Sequence, residues 1–511
     1  MIKYLLMLGF LSSLSFKNMY AQPPAIKKYF DKVDSIGDFH GNILLSSGGR
    51  IILQRSYGLA DIRRKKPNAA GTHFNLASVS KIFTATAILQ LKEKNLLELD
   101  KPVSLYLPGF PYRNISIRHL LTHTSGLPDL ELFENIVKEF PDTIVHNVDI
   151  IPELKKWNKG LYFEPGEKFS YNNNGYSILA MVVEKITRQP FNKYLQQNIF
   201  TPAGMFSTYI HGMGNRTVKD DTSYVVFHTR LHPLYDSAYT SIDSVPGYKY
   251  THVNISGTVG AGNIITTTAD MQLFDAAFFS GKLLRASSMK EAFIPARLNN
   301  GKQILRPMDT MQGEGQMYQG LGWELFDQPL TGFSVGHGGY KFGLATFYCH
   351  HIFSNTAVVA YSNAPGGDYG GMVTSAMLLM QQYPALLLSG KKSLVAAYGT
   401  ALVSAGADEA ASILMFHRKD STRYYLSEWE MNELGYNLFY QSAFAGHREL
   451  AVECFKVATM LFPESFNPYD SYGQLLAETG KKAAAIRMYQ MSLLLNAQND
   501  DGRKALERLR Q

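Results

Sequence analysis

Cysteine is nearly absent from this chain. Cys349 and Cys454 are the only two among 511 residues and lie far apart, so no disulfide framework is available and stability must come from packing. An excess of one charge is missing too: 50 Lys and Arg against 43 Asp and Glu give +7, and setting aside Lys3 and Lys17 of the N-terminal segment leaves +5. The basic residues gather only in short runs such as 63–66, which reads as solvated surface and excludes a nucleic-acid footprint. Past the N-terminus no apolar stretch approaches the ~20 residues that cross a bilayer, so no transmembrane segment is expected in the mature chain. Two histidine pairs have metal-ligand spacing, His119 with His123 and His228 with His232, but they lack the neighbouring Glu base and third ligand of a zinc hydrolase. Neither a metal nor another cofactor is implied.

What is present is a globular composition, 45% hydrophobic and 18% charged, at a length that calls for one large domain and at least one smaller one. The N-terminus stands apart. Lys3, the apolar and small-residue run 4–16, and Ala21 before Gln22 read as a secretory signal peptide over 1–21, with Met19 in place of a small residue at −3. An exported protein, periplasmic or secreted, is expected.

Residues 39–45 and 51–58 are β-rich and separated by Ser46-Ser47-Gly48-Gly49, which predicts a hairpin. The run 79–91 is apolar nearly all round and predicts a buried helix whose first turn carries Ser78 and Lys81. From 101 to 281 the chain reads as helical with long loops, including helices over 117–121, 176–186 and 269–279. Beyond lie β-like runs at 332–335, 344–350 and 357–362, with His337-Gly338-Gly339 between the first two. Pairing these with the N-terminal hairpin gives an α+β fold over 22–385: one antiparallel sheet, helices on both faces and a helical insertion to one side. A helical linker or degenerate repeat through Gly406 and Ala411 follows over 386–425. Residues 426–511 read as an all-α tail, because Gly446, Ala451 and Phe455 recur 34 residues later as Gly480, Ala485 and Tyr489, the period of tetratricopeptide (TPR) helix pairs.

The chemistry centres on residues 74–81, Phe-Asn-Leu-Ala-Ser-Val-Ser-Lys. An i, i+3 spacing sets Ser78 and Lys81 on one helical face, where a neutral lysine could take the hydroxyl proton and leave a nucleophile. An ordinary lysine, with a pKa of about 10.4, is a poor base at neutral pH, so Lys81 must be desolvated or coupled to a neighbour. The S-x-x-K pattern also occurs at Ser287 to Lys290 and Ser389 to Lys392, neither of which opens an apolar helix.

Three elements in order, Ser-x-x-Lys at Ser78 and Lys81, Tyr-x-Asn at Tyr171 and Asn173, and His-x-Gly at His337 and Gly339, resemble the serine β-lactamase and penicillin-binding-protein superfamily. The branch is that of class C β-lactamases, penicillin-recognising peptidases and related esterases. The run from His119 to Leu127 and Pro165-Gly166 before Tyr171 support the resemblance, which covers about 37–382. Further Tyr-x-Asn matches at Tyr112 to Asn114 and Tyr361 to Asn363 lie outside that order.

The resemblance implies an acyl-enzyme at Ser78, with Lys81 and Tyr171 as proton-transfer groups and the acylation base left open between them. It places oxyanion donors at the backbone N–H of Ser78 and of Tyr340, which follows His337-Gly338-Gly339. Asn173 is expected to hold the substrate ester or amide, Gly339 to let it approach the strand, and His337 to meet a substrate carboxylate or join the proton relay. Many relatives have Lys-Thr-Gly where this chain has His337-Gly338-Gly339, which argues against strong β-lactamase activity and leaves esters, D-amino-acid peptides and other amides open. The substrate is a small molecule or peptide. An alternative from another class is a binding or scaffold protein that recruits a protein partner through the TPR-like tail.

Overall fold

A computed structural model describes residues 23–214, 217–236, 238–306, 315–366, 369–386, 390–442 and 444–510. The signal-peptide segment and Ser389 of the third S-x-x-K match lie outside the described residues. Principal elements are numbered here in chain order.

Helix α1 (Pro23–Ile36) opens the described chain with prolines in its first turn, where a missing N–H costs nothing. Its residues Ile26, Tyr29, Phe30 and Val33 recur at helical spacing and are buried. Strands β1 (Gly41–Ser47) and β2 (Arg50–Tyr57) form the expected hairpin. Its two turn residues, Gly48 and Gly49, have φ of +56° and +74°, a turn that matches the twist of the strands it joins. After the helical insertion come β3 (Leu305–Arg306), β4 (Gln316–Gln319), β5 (Glu324–Gln328), β6 (Gly332–Lys341), β7 (Leu344–His351) and β8 (Thr356–Ser362). They join the hairpin in one antiparallel eight-stranded sheet of order β3-β4-β5-β6-β7-β8-β1-β2.

Period-two alternation divides the sheet into two buried faces. Ile43, Leu45, Phe347, Cys349, Val358 and Ala360 pack against α1 and α5 (Tyr369–Met380). Leu44, Tyr348, Val359 and Tyr361 belong to the larger core on the other side, with α2 (Ser80–Glu93), α3 (Asn173–Thr187) and α4 (Thr268–Phe279). Residues 80–91 of α2 are all buried, as an apolar helix between a sheet and a helical insertion must be. The antiparallel sheet flanked by helices is therefore the fold that the sequence predicts.

Two local differences bear on the site. Ser78 lies in a 3-10 turn, Ala77–Val79, just before α2 rather than in the first turn of the α-helix. Strand β6 runs on through His337-Gly338-Gly339 to Lys341, so these residues form a strand edge and not a connection.

The tail begins where Lys392–Ser393 pair in parallel with Tyr424–Tyr425. Helices α6 (Leu394–Ala405), α7 (Ala407–His417), α8 (Glu428–Tyr436), α9 (His447–Leu461), α10 (Phe466–Glu478), α11 (Lys482–Leu495) and α12 (Asp500–Arg510) follow. Small residues allow close pairing: the Phe455 ring of α9 lies over Gly435 of α8, and the Tyr489 ring of α11 over Gly473 of α10. Leu234 and Tyr235 of the insertion enter the tail's own core, and Tyr235 shares a 2.6 Å hydroxyl hydrogen bond with Ser442, fixing the tail to the main domain.

Candidate active site

The 3-10 turn and α2 bring Ser78 and Lys81 together. Lys81 is fully buried, and its Nζ donates to Ser78 Oγ at 3.1 Å, Asn173 Oδ1 at 2.8 Å and Ala261 O at 3.0 Å. Burial lowers its pKa to about 7, against the opposing fields of Asp129 and Glu324. In the neutral form two hydrogens suffice for the two carbonyl oxygens, which leaves the lone pair for the Ser78 hydroxyl.

Tyr171 sits above this pair. Its phenol hydrogen-bonds Ser78, and Lys81 Nζ lies 4.8 Å from its ring centroid. Burial raises the phenol far above its ordinary pKa, so it stays protonated. The His123 ring stacks on Tyr171 at 4.3 Å and 25°, and burial keeps it neutral while Nδ1 accepts from Asn172 N–H at 3.0 Å.

Asn173 opens α3, whose N-cap Asn172 accepts from Gly175 N–H at 2.7 Å. Both ends of the Asn173 amide are engaged: Oδ1 with Lys81, and Nδ2 with Asp129 Oδ2 at 2.9 Å. Asp129 Oδ1 also accepts the Asn173 backbone N–H at 2.6 Å. The geometry turns the Asn173 amide toward Lys81 while the residue also lines the cleft in which it is expected to hold the substrate.

The edge of β6 closes the other side. A Cβ on Gly339 would stand 2.5 Å from Leu76 O and 3.1 Å from Ser78 N, as well as against Thr346 Oγ1, so only glycine lets this strand reach the turn that carries Ser78. Gly338 N–H donates to Glu324 Oε2 at 2.9 Å, on the side away from β7. Backbone direction alternates along a strand, so the Tyr340 N–H lies on that same side, where β5 has ended. The Tyr340 side chain itself is 64% exposed.

His337 lies within this cluster without a hydrogen bond to Ser78, Lys81 or Tyr171. Its Nδ1 is bonded to Gly338 O, its buried Nε2 has no partner, and its ring stands 6.3 Å from that of Tyr171. Burial drops its pKa to about 4, so the ring carries no charge near neutrality to meet a carboxylate. The cations present are Arg306, paired with Glu324 at 2.7 Å and set over the Tyr171 ring, and Lys341, whose pKa burial lowers to about 8.

Ser78, Tyr171, Asn173, Arg306, Glu324, His337, Gly339 and Lys341 line one cleft of about 930 Å³, walled by Leu130, Ile255, Phe326, Tyr340 and Phe342. No described tail residue contributes to it. The other matches fall elsewhere: Ser287 and Lys290 are exposed, and Asn363 spends its amide on backbone carbonyls of residues 59, 60 and 226. His119 and His228 likewise hydrogen-bond nearby backbone. Sequence reasoning missed Asp129, Glu324, Arg306, Asn263 and Lys341. Asp129 closely follows the run ending at Leu127 and was within reach; the others become neighbours only through sheet pairing.

A serine and a buried lysine at the head of a core helix, a tyrosine above them and a glycine strand edge beside them define the class of β-lactamase-like and penicillin-binding-protein-like folds. The Beta-lactamase family profile matches residues 37–379, and the chain belongs to that family. Penicillin-binding protein 4* of Bacillus subtilis (strain 168) is 33% identical over 342 residues, 66% of this chain and 71% of the relative. A crystal structure of a penicillin binding protein from Bacillus halodurans is 26% identical with a TM-score of 0.55, covering 67% of this chain and 96% of that one. The D-amino acid amidase from Ochrobactrum anthropi SV3, complexed with L-phenylalanine amide, shares the fold at 21% identity and a TM-score of 0.55, over 70% of this chain and 97% of its own.

Proposed function

We propose that the protein is an exported serine hydrolase that forms an acyl-enzyme at Ser78 and releases it with water, cleaving an ester or amide. The observation that carries this reading is the three-bonded, buried Lys81, with a pKa of about 7, against Ser78 Oγ. Neutral Lys81 takes the Ser78 proton as Oγ attacks the substrate carbonyl. The backbone N–H groups of Ser78 and Tyr340 receive the oxyanion. Tyr171, held as a neutral phenol, hands its proton to the leaving group and is re-protonated by Lys81 with the proton taken from Ser78, so Lys81 rather than Tyr171 is the acylation base. In deacylation neutral Lys81 takes a proton from the water that attacks the acyl carbon, and that proton returns to Ser78 Oγ as its bond to the acyl carbon breaks. Asn173 and Asp129 orient Lys81, and the uncharged His337 fits esters and amides better than it fits the anchoring of a β-lactam carboxylate.

Turnover of nitrocefin, a short p-nitrophenyl ester and a D-Ala-D-Ala peptide, measured side by side, tests the substrate class. Ester or peptide turnover that exceeds nitrocefin turnover and vanishes in Ser78→Ala is expected; turnover confined to nitrocefin would contradict the reading of His337. The tail, read as TPR-like, contributes nothing to the described cleft lining, which supports a separate recruiting role. Its removal is expected to leave turnover intact.

A further inference from the structure

The backbone that presents Ser78 is held by side chains from separate elements. Ala77, immediately before Ser78, has φ of +46°, and Asn263 has φ of +70°. Asparagine adopts this left-handed region readily, but the Cβ of alanine disfavours it, so the surroundings must hold Ala77 there. A short polar chain does so. Ala77 N–H donates to Asn75 Oδ1 at 2.8 Å, Asn75 Nδ2 donates to Asn263 Oδ1 at 3.1 Å, and Lys341 Nζ donates to that same oxygen at 2.9 Å. Asn263 Nδ2 donates to Ser256 O at 2.8 Å and Thr258 O at 2.7 Å, which fixes the direction of its amide. Asn75 and Asn263 are each 3% exposed, so these bonds meet little competition from water.

Lys341 stands one residue beyond Tyr340 on β6. The chain of bonds therefore ties the strand that supplies one proposed oxyanion donor to the turn that supplies the other. The Lys341 ammonium is half-buried, and it bonds to a side-chain amide rather than to a carboxylate. We propose that Lys341 is a positioning residue for the nucleophile: acting through Asn263 and Asn75, it locks Ala77 left-handed and aims Ser78 toward Lys81 and the cleft. The proposal rests on the reading of Ser78 as nucleophile.

Lys341 also bears on Lys81 through its charge. Besides burial, Arg306 and Lys341 disfavour the protonated form of Lys81, while Asp129 and Glu324 favour it. The neutral rings of His123, His337, Tyr171 and Tyr176 also face Lys81. Removing the Lys341 charge therefore raises the Lys81 pKa and moves the acid limb of kcat/KM to higher pH, an effect that a merely structural role would lack.

The test compares Lys341→Met, Lys341→Arg and the double variant Lys341→Met/Ala77→Gly in the full chain. Misplacing the nucleophile is expected to cost Lys341→Met about 10²-fold in kcat with KM little changed. Lys341→Arg, which still reaches Asn263, retains most activity. Glycine adopts positive φ freely, so Ala77→Gly recovers about tenfold on the Lys341→Met background. Hydrogen exchange of the peptide containing Ala77 reads the same strut without any turnover, and is expected to run about tenfold faster in Lys341→Met while the sheet is unchanged. Wild-type turnover and exchange in Lys341→Met would overturn the proposal, as would a double variant no better than Lys341→Met. Absence of covalent labelling at Ser78 in the wild type would instead count against the hydrolase reading and leave the exchange result standing.

Discussion

Replacing Lys81 with methionine separates the cost of this site from its use. The wild-type ammonium is buried, and burial takes its pKa from 10.5 to about 7. That gap is worth on the order of 5 kcal/mol between the charged forms in the folded and unfolded states. From pH 7 to 10.5 the unfolded lysine keeps a proton that the folded one has released, so the wild type gains stability as pH rises, by about 1.4 kcal/mol per unit. Below pH 7 both states are protonated and the full penalty stands. Lys81→Met removes this dependence, so its stability advantage over wild type is greatest below pH 7 and shrinks by about 2 kcal/mol between pH 7 and pH 9. Losing the bond to Ala261 O strands a buried acceptor and costs about 1–3 kcal/mol, and losing the bond to the half-buried Asn173 Oδ1 costs less; both reduce the advantage at every pH alike and leave its slope untouched. Turnover falls at the same time by about 10²–10⁴-fold, the usual contribution of a positioned base. Urea denaturation of both proteins at pH 6, 7, 8 and 9 measures the slope. A stability difference that stays constant from pH 7 to 9 would refute the depressed lysine and the base assignment built on it.

Gly339→Ala forces a Cβ against Leu76 O and Ser78 N and is expected to lower kcat by about 10²–10³-fold, the worth of an oxyanion donor, while thermal unfolding shows that the chain still folds. Asp129→Asn removes a charge that favours protonated Lys81, so the acid limb of the pH–rate profile moves to lower pH, with about tenfold lower kcat as Asn173 loses its anchor. Gly435→Ala places a Cβ 2.5 Å from the Phe455 ring and is expected to destabilise the tail by about 1–3 kcal/mol, read as an earlier calorimetric transition with hydrolysis retained.

The parts of the fold visible in the sequence were those where local pattern and tertiary environment agree. The alternation of β1 and β2, Gly48-Gly49 between them, and the uniformly apolar α2 each predict their own structure. Strands β4 and β5 gave no such signal, since Gln316, Gln319, Glu324, Asp327 and Gln328 are polar. Glu324 is nevertheless buried, because Arg306 and Gly338 N–H, on other strands of the same sheet, satisfy its carboxylate. His337-Gly338-Gly339 read as a connection because glycine is a poor strand former, yet the close approach to Ser78 demands glycine at 339. At the site, the order of Ser78, Lys81, Tyr171, Asn173 and His337 was legible; their division of labour was not. Asn173 faces Lys81 because Asp129 turns it there, and His337 is neutral because the fold buries it. Lys341 carries no motif, and its link to Ala77 passes through Asn263 and Asn75, residues that only the folded chain brings together.

The central claim is that Ser78 is the residue acylated. Intact-mass and peptide mass spectrometry after incubation with a fluorescent phosphonate or penicillin test it most directly. One adduct per chain, on the peptide containing Ser78 and absent from Ser78→Ala, is the expected result. No adduct on the wild type, or an adduct that survives Ser78→Ala, would contradict it.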